Sequence, residues 1–280
     1  MTPKGKLIPI GGAERRHEER KTFAEMQQKD NQLPVLLRVL QEMKGTKTRL
    51  AVITSASSIP HIIGADYMAS FQSMGCESVS LLDLRTKKDV LKKENLRRLE
   101  EAEGIMISGG NQARLSRSYL GTPFYDLLLE RYYNEPDFVI AGTSAGAMIM
   151  SSAMIYDGTS KEALAAGKAK IREGFSLLPK SVIDSHFVNR NRFGRLMVAV
   201  AEYSDHIGIG LAEDTAVIIT EGRYLECIGS GQVHILDGKD LRIDNINAHD
   251  EPSHLIHFQN MLSHLMIEGD RFDLEKRTFL

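Results

Sequence analysis

Tryptophan is absent from this chain, and cysteine occurs only twice in its 280 residues, at Cys76 and Cys227. Two cysteines are too few for a disulfide framework or for a metal site with four cysteine ligands. A pair of reduced, buried thiols is the expected state, and it is typical of cytoplasmic proteins.

An excess of charge of one sign is also missing, because 35 Lys and Arg residues face 37 Asp and Glu residues. A protein that binds nucleic acid mainly through phosphate contacts usually carries a clear basic excess, so this class is excluded. No apolar run approaches the ~20 residues that cross a bilayer, and the first residues lack a signal-peptide pattern. We therefore expect a cytoplasmic enzyme or binding protein whose partners include neither nucleic acid nor membrane.

What the sequence does contain is an alternation of short apolar runs with longer segments of helical periodicity. The apolar runs are 6–10, 49–54, 78–84, 104–108 and 137–141, and the helical segments include 33–43 and 62–74. This alternation is typical of a mostly parallel sheet sandwiched by helices. Because no linker or repeat interrupts it, we predict one α/β domain over residues 1–280.

The last third of the chain has shorter strand-like runs separated by glycine turns. Runs at 216–220, 224–228 and 233–236 predict a small antiparallel meander appended to the sheet. A helix is expected over 254–266, after Pro252. His254 and His257 fit one face of that helix, but no cysteine or acidic pattern accompanies them, so no metal site is predicted.

Small polar or glycine-rich segments follow four of the predicted strands, at residues 11–12, 55–58, 109–112 and 142–146. In parallel sheets, ligands bind beyond the carboxyl ends of the strands. These four segments are therefore candidates for the loops of a functional site.

The sharpest motif is Gly142-Thr143-Ser144-Ala145-Gly146, which follows an apolar run and precedes a helix predicted over 147–154. Strand, tight turn and helix form the context in which G-x-S-x-G makes a nucleophile elbow. The glycines permit a strained turn that exposes the serine hydroxyl. The motif predicts Ser144 as a nucleophile, with backbone N–H groups at the helix start facing a developing oxyanion.

A serine nucleophile needs a base and a group that orients the base. Among nine histidines, His186 stands out, because it follows the apolar pair Val182-Ile183 and precedes a segment rich in arginine. The residues alone leave the acid open between Glu213, Asp214 and Asp184. With Glu213 the chain order is serine, histidine, acid, which differs from that of the α/β-hydrolases and disfavours an esterase.

Three arginines follow His186, at positions 190, 192 and 195. Guanidinium groups grip carboxylates with two parallel hydrogen bonds, so the arginines form a carboxylate-binding cluster if they face the site. The alternative is a solvated helix face, and spacing alone does not separate the two.

Five blocks, taken together, are more specific than the G-x-S-x-G motif. In chain order they are Gly11-Gly12-Ala13-Glu14, Ile107-Ser108-Gly109-Gly110-Asn111-Gln112, Gly142-Thr143-Ser144-Ala145-Gly146-Ala147, Asp184-Ser185-His186-Phe187 with the three arginines, and Gly208-Ile209-Gly210-Leu211-Ala212-Glu213-Asp214-Thr215-Ala216. Over about residues 6–237, the sequence closely resembles the cyanophycinases of the S51 serine peptidase family, which also holds the α-aspartyl dipeptidases.

The resemblance implies a class I glutamine-amidotransferase-like α/β fold and a homodimer that needs no cofactor or metal. It also implies a serine exopeptidase that releases β-Asp-Arg dipeptides from cyanophycin, a poly-aspartate with arginine on each β-carboxylate. The implied catalytic residues are Ser144, His186 and Glu213. Substrate-binding positions are implied at Gln112, Asp184, Ser185, Arg190, Arg192 and Arg195, and oxyanion-hole N–H groups at Gly110 and Ala145.

The substrate's own guanidinium requires a carboxylate partner, for which Asp184 or Glu14 is the candidate. One position departs from the family, since cyanophycinases commonly carry glutamine where this chain has Ser185. The alternatives are an α-aspartyl or isoaspartyl dipeptidase of the same family, and a non-catalytic binding protein on the same fold.

Overall fold

The computed structural model describes residues 1–14, 35–158, 169–243 and 257–280. Its helices are α1 (Val35–Glu42), α2 (Pro60–Ser73), α3 (Lys87–Val90), α4 (Lys93–Glu101), α5 (Gln112–Tyr119), α6 (Pro123–Asn134), α7 (Ala145–Met148) and α8 (Phe193–Glu202). Its strands are β1 (Lys6–Ile10), β2 (Arg49–Ile53), β3 (Ser78–Leu82), β4 (Gly104–Ile107), β5 (Val139–Thr143), β6 (Ala153–Asp157), β7 (Lys170–Glu173), β8 (Ser181–Asp184), β9 (Ile207–Leu211), β10 (Thr215–Thr220), β11 (Tyr224–Gly229), β12 (Val233–Asp237), β13 (Arg242–Ile243), β14 (Phe258–Gln259), β15 (Leu262–Met266), β16 (Arg271–Asp273) and β17 (Thr278–Phe279).

A parallel set of strands forms the centre of the main sheet, in the order β1-β5-β4-β2-β3. Beyond β1 the sheet continues with antiparallel pairing through β10, β11, β16 and β17. Parallel strands need crossover segments, and α2 and α4 occupy two of these connections. All carboxyl ends of the parallel strands therefore meet at one edge.

Apolar side chains cover both faces of this sheet. Leu7 and Ile53 pack on one face with α5 and α6, whereas Ile8 and Val52 pack on the other with α1 and α2. Because neighbouring residues of a strand point to opposite faces, the unbroken apolar runs indicate burial on both sides. The α/β fold predicted from the sequence is confirmed.

A second sheet has the order β15-β12-β9-β8, with β8 parallel to β9 and the other pairs antiparallel. This arrangement corrects the predicted meander. The β10–β11 hairpin joins the main sheet beside β1, but β12 pairs with β9 instead of extending the hairpin. The turn between β11 and β12 thus carries the chain from one sheet to the other.

Two predicted helices are wrong. The helix expected over 147–154 is the single turn α7, which ends at Met148, and Ala153 already begins β6. The tail expected to be helical forms β14 and β15, and β15 pairs with β12 along its whole length. Residues 254–256 of that prediction, including His254, and residues 33–34 of the first predicted helix lie outside the described residues.

Candidate active site

The end of β1 ties three loops of the candidate site together. Successive carbonyl oxygens of residues 10–12 accept hydrogen bonds from the backbone N–H groups of Ser144, His186 and Asp214, at 2.9, 2.7 and 2.9 Å respectively. Each of these bonds reaches a different segment of the chain. The glycine-rich end of β1 therefore fixes the serine turn, the histidine loop and the acidic loop relative to one another.

Ser144 has the backbone strain expected of a nucleophile elbow, with φ 51° and ψ −109°. The flanking glycines permit the turn because the backbone passes close to its neighbours. A Cβ on Gly146 would lie 2.2 Å from the carbonyl oxygen of Ile107, and one on Gly142 would lie 2.4 Å from that of Gly146. Neither position accepts a larger residue without movement of the main chain.

The side chains of Ser144, His186 and Glu213 form one hydrogen-bonded line. The Nε2 atom of His186 lies 3.0 Å from the Oγ atom of Ser144, and its Nδ1 atom lies 2.6 Å from Oε1 of Glu213. Of the three acids that the residues alone left open, Glu213 is the one in contact with the imidazole. The carboxylate of Asp214 accepts from Ser230 instead, at 2.8 Å.

Burial lowers the pKa of His186 below its usual value. The hydrogen bond to Glu213 opposes this shift, whereas the positive charges of Arg190 and Arg192 add to it. The imidazole is consequently neutral at pH 7. A neutral imidazole next to a hydroxyl is the protonation state that accepts a proton from serine.

Two residues near Ser144 carry the backbone N–H groups predicted for an oxyanion hole. Ala145 is the first residue of α7, and Gly110 lies in the loop after β4, where Gly109 approaches the Cβ atom of Ser144. Within the described segments, neither the Gly110 nor the Ala145 N–H donates a hydrogen bond to the protein. Both groups are thus available to a negative charge that forms beside Ser144.

A cleft of about 350 Å³ opens above these groups. Its lining combines the loop ends with a few larger side chains: Gly12, Ala13, Ser57, Ser58, Ile63, Gly109, Gly110, Thr143, Ser144, His186 and Arg190. The loop at 55–58 was foreseen because it follows a strand. Ile63 was missed, since an apolar residue near the start of a helix carries no signal in the sequence.

Of the three arginines, only Arg190 lines the cleft. Arg195 grips both carboxylate oxygens of Asp184 through Nε and Nη2, and Arg192 donates to the same carboxylate at 3.1 Å. Asp184 has no exposed surface. The predicted single arginine cluster is therefore divided into one arginine at the cleft and an ion-paired group in which Arg192, partly buried, and Arg195, buried, share the buried Asp184.

The Asp184 group supports the histidine loop from beneath. Arg192 also donates to the carbonyl oxygen of Ser185 at 2.7 Å, and the Ser185 N–H donates to Asp184 at 2.9 Å. Ser185 is buried, and its hydroxyl contacts the sulfur of Met148. Asp184, Ser185 and Arg195 were predicted to contact substrate, but in this structure they bind one another below His186.

Two other predicted positions also hold internal partners. The amide of Gln112 donates to the carbonyl oxygen of Ile155 at 2.7 Å, which joins α5 to β6. Glu14 is buried, and its carboxylate accepts hydrogen bonds from the hydroxyls of Tyr67 and Thr143. Glu14 therefore braces the residue that precedes the nucleophile.

No cluster of three or more histidine, cysteine or acidic side chains suited to a metal ion occurs among the described residues. In the same segments, no helix combines the length and the apolar character needed to cross a membrane. Cys76 and Cys227 are buried free thiols.

The model of peptidase family S51 matches residues 22–227, which is most of the chain. The chain belongs to this family. Curated relatives named cyanophycinase occur in Trichormus variabilis (36% identity over 235 residues, 84% of this chain and 78% of the relative) and Geminocystis herdmanii (33% over 231 residues, 82% and 84%). Another, from Synechococcus elongatus, is 32% identical over 271 residues, with coverage of 97% and 80%.

Solved structures agree on the fold of this S51 chain. A peptidase from an acI-B1 actinobacterium aligns with a TM-score of 0.59 at 18% identity, over 94% of this chain and 98% of that one. A putative peptidase E from Listeria monocytogenes aligns with a TM-score of 0.53 at 16% identity, over 81% and 99%. The family predicted from the five sequence blocks is confirmed, and the chain is a serine-type peptidase.

Proposed function

We propose that this chain is a cyanophycinase-type serine exopeptidase that hydrolyses cyanophycin to β-Asp-Arg dipeptides. The observation that carries the proposal is the hydrogen-bonded line Ser144–His186–Glu213 at the floor of the cleft. The cyanophycinase relatives, at 32–36% identity, supply the substrate class. A strained serine aligned with a neutral imidazole is typical of a catalytic site, and this disfavours the alternative of a non-catalytic binding protein.

In the proposed reaction, the Ser144 hydroxyl attacks the carbonyl carbon of the scissile peptide, and His186 accepts its proton. Glu213 holds the imidazole in place through Nδ1 and stabilises the positive charge that forms on the ring. The N–H groups of Gly110 and Ala145 donate to the oxyanion. His186 then transfers the proton to the leaving amine, which leaves an acyl-enzyme on Ser144.

Water completes the cycle. His186 takes a proton from a water molecule, which attacks the ester carbonyl, and the released Ser144 oxygen recovers its proton from the imidazolium. The cleft is open at one side, so water reaches the ester once the first product has left. No step in this sequence requires a metal or an organic cofactor.

Arg190 is the proposed contact to substrate carboxylates. Its side chain lines the cleft next to His186, and each arginine of cyanophycin carries a free carboxylate that a guanidinium matches. We assign Asp184, Ser185, Arg192 and Arg195 a positioning role instead, because their polar groups bind one another under the histidine loop. Gln112 takes a similar role between α5 and β6.

The wider setting belongs to the same proposal. We propose a cytoplasmic homodimer in which residues 1–280 form one domain; the dimer rests on the resemblance to the family. Light scattering on the purified protein measures the oligomer directly. A mass of about 31.2 kDa, that of a single chain, contradicts the dimer.

The direct experiment is incubation of insoluble cyanophycin with the wild type and with Ser144→Ala, followed by mass spectrometry of the released products. The proposal expects β-Asp-Arg from the wild type and none from the variant. Thr143→Ser is a useful second variant, because it keeps the hydroxyl that donates to Glu14 while leaving Ser144 untouched. A folded wild-type protein that releases nothing contradicts the cyanophycin assignment.

A further inference from the structure

Two arginines outside the cleft lining converge on one backbone oxygen at its rim. Arg85 donates to the carbonyl oxygen of Ser57 at 2.8 Å, and Arg114 donates to the same oxygen at 3.2 Å. Ser57 itself lines the cleft. The two guanidinium groups are therefore direct neighbours at the edge of the candidate active site.

The rim is joined to the nucleophile by a short path through the backbone. The N–H of Asn111 donates to the carbonyl oxygen of Ala56 at 2.9 Å, and Gly110 passes so close to Ala56 that a Cβ would clash. Gly109 in turn approaches Ser144. The arginine pair thus lies one loop away from the serine, at the rim beside Ser57, whereas Arg190 belongs to the cleft lining itself.

Charge makes this pair unusual. Arg85 has a carboxylate partner in Asp83, at 2.7 Å, but Arg114 has none among the described residues. Both arginines are exposed, and Arg114 donates to Ser57 through only one of its Nη atoms. Two cations that share one neutral acceptor repel each other, and an anion between them relieves that repulsion while using the free guanidinium donors.

We propose that Arg114, with Arg85 beside it, forms a second carboxylate-binding subsite, which holds a substrate unit next to the one at Ser144. The inference rests on the proposed function, since a chain with one arginine carboxylate per residue supplies carboxylates at regular intervals. Arg190 takes the carboxylate of one unit, and Arg114 takes that of another. A substrate long enough to reach both arginines therefore binds more tightly than one that reaches only Arg190.

Binding is measured on a Ser144→Ala background, so that substrate is not consumed. The probe is a soluble β-Asp-Arg oligomer of several units, compared with the same oligomer in which the arginine carboxylates are converted to carboxamides. Arg114→Ala is expected to weaken binding of the acid oligomer about tenfold, the usual size for loss of one charge-assisted contact. The same variant leaves binding of the carboxamide oligomer unchanged.

Two further variants complete the comparison. Arg114→Lys keeps the positive charge but loses the planar guanidinium that binds a carboxylate through two hydrogen bonds. It is expected to retain part of the affinity that Arg114→Ala loses. Arg97→Ala is the matched control, because Arg97 is an exposed helix arginine that lines a separate groove with Arg49 and Leu50, at the opposite ends of the strands. It is expected to leave both affinities unchanged.

The outcomes separate the two levels of the proposal. Wild-type hydrolysis of the oligomer with equal affinities for the Arg114→Ala and Arg97→Ala proteins overturns the subsite and leaves the proposed function standing. An equal loss on the acid and carboxamide oligomers also overturns it, since the effect then does not come from the carboxylate. No hydrolysis by the wild type and no binding to Ser144→Ala overturn both.

Discussion

Arg190 and Arg192 stand two positions apart after the same strand, yet they serve different parts of the molecule. Arg190 is exposed and lines the cleft, whereas Arg192 turns inward to the carboxylate of Asp184. Asn191 lies between them with φ 48°, so the chain changes direction at that residue. The backbone thus separates this arginine run into one side chain at the cleft, which is the proposed substrate contact, and one that binds beneath the histidine loop.

A change in the Asp184 group should affect the stability of the protein more than a change at Arg190. Burial lowers the pKa of Arg192 to about 10, so this guanidinium stays charged at pH 7 and needs the Asp184 anion. Arg190, in contrast, has an exposed side chain at the cleft. Removing a charge from the Asp184 group should therefore lower the free energy of unfolding. Removing the charge of Arg190 should weaken only substrate binding.

Asp184→Asn has the largest expected effect, because it leaves the buried guanidinium of Arg195 and the partly buried one of Arg192 without an anion. We expect the free energy of unfolding to fall by about 3–5 kcal/mol, measured by urea denaturation. Asp157→Asn is the control, since Asp157 is an exposed carboxylate paired with Lys170 on the surface. It should cost less than about 1 kcal/mol. Similar losses for the two variants would remove the distinction between buried and exposed sides.

Arg190→Ala should separate binding from stability. We expect KM for a β-Asp-Arg oligomer to rise about tenfold, because one charge-assisted contact is lost. The free energy of unfolding should change by no more than about 0.5 kcal/mol, since the side chain is exposed. Steady-state kinetics and urea denaturation on the same preparation provide both numbers. An unchanged KM would argue against the cleft role of Arg190.

A smaller effect is expected in the pH profile. The base must be neutral to act, so kcat/KM of the wild type should fall as the pH drops through the lowered pKa of His186, below about 6.5. Arg190→Gln removes a positive charge that lowers this pKa, so the acid limb should move to higher pH. We expect a shift of about a few tenths of a pH unit. It is measured from kcat/KM between about pH 5 and 8. A shift to lower pH would contradict the charge assignment.

The parallel half of the fold was predictable because its signals are local. Four of the five apolar runs are followed by glycine or small polar residues, and Gly142 and Gly146 indicate a tight turn that no larger residue fits. The second sheet was not predictable in the same way. The partner of β12 is β9, and that of β15 is β12, so both pairings depend on segments distant in the sequence.

The wrong helix in the tail has the same cause. Residues 262–266 became a strand because the free edge of β12 was available to them. At the site, the G-x-S-x-G motif pointed to Ser144 from local pattern alone. The choice of Glu213 over Asp184 needed the resemblance to a family, because which acid touches His186 is a matter of three-dimensional geometry.

The measurement that tests the central claim most directly is covalent labelling with a serine-directed fluorophosphonate, followed by peptide mass spectrometry. The account predicts a single adduct, on Ser144, in the wild type. His186→Gln should slow its formation by at least about a hundredfold, because the base is gone. Labelling of a different residue, or no adduct in a preparation that hydrolyses substrate, would contradict Ser144 as the nucleophile.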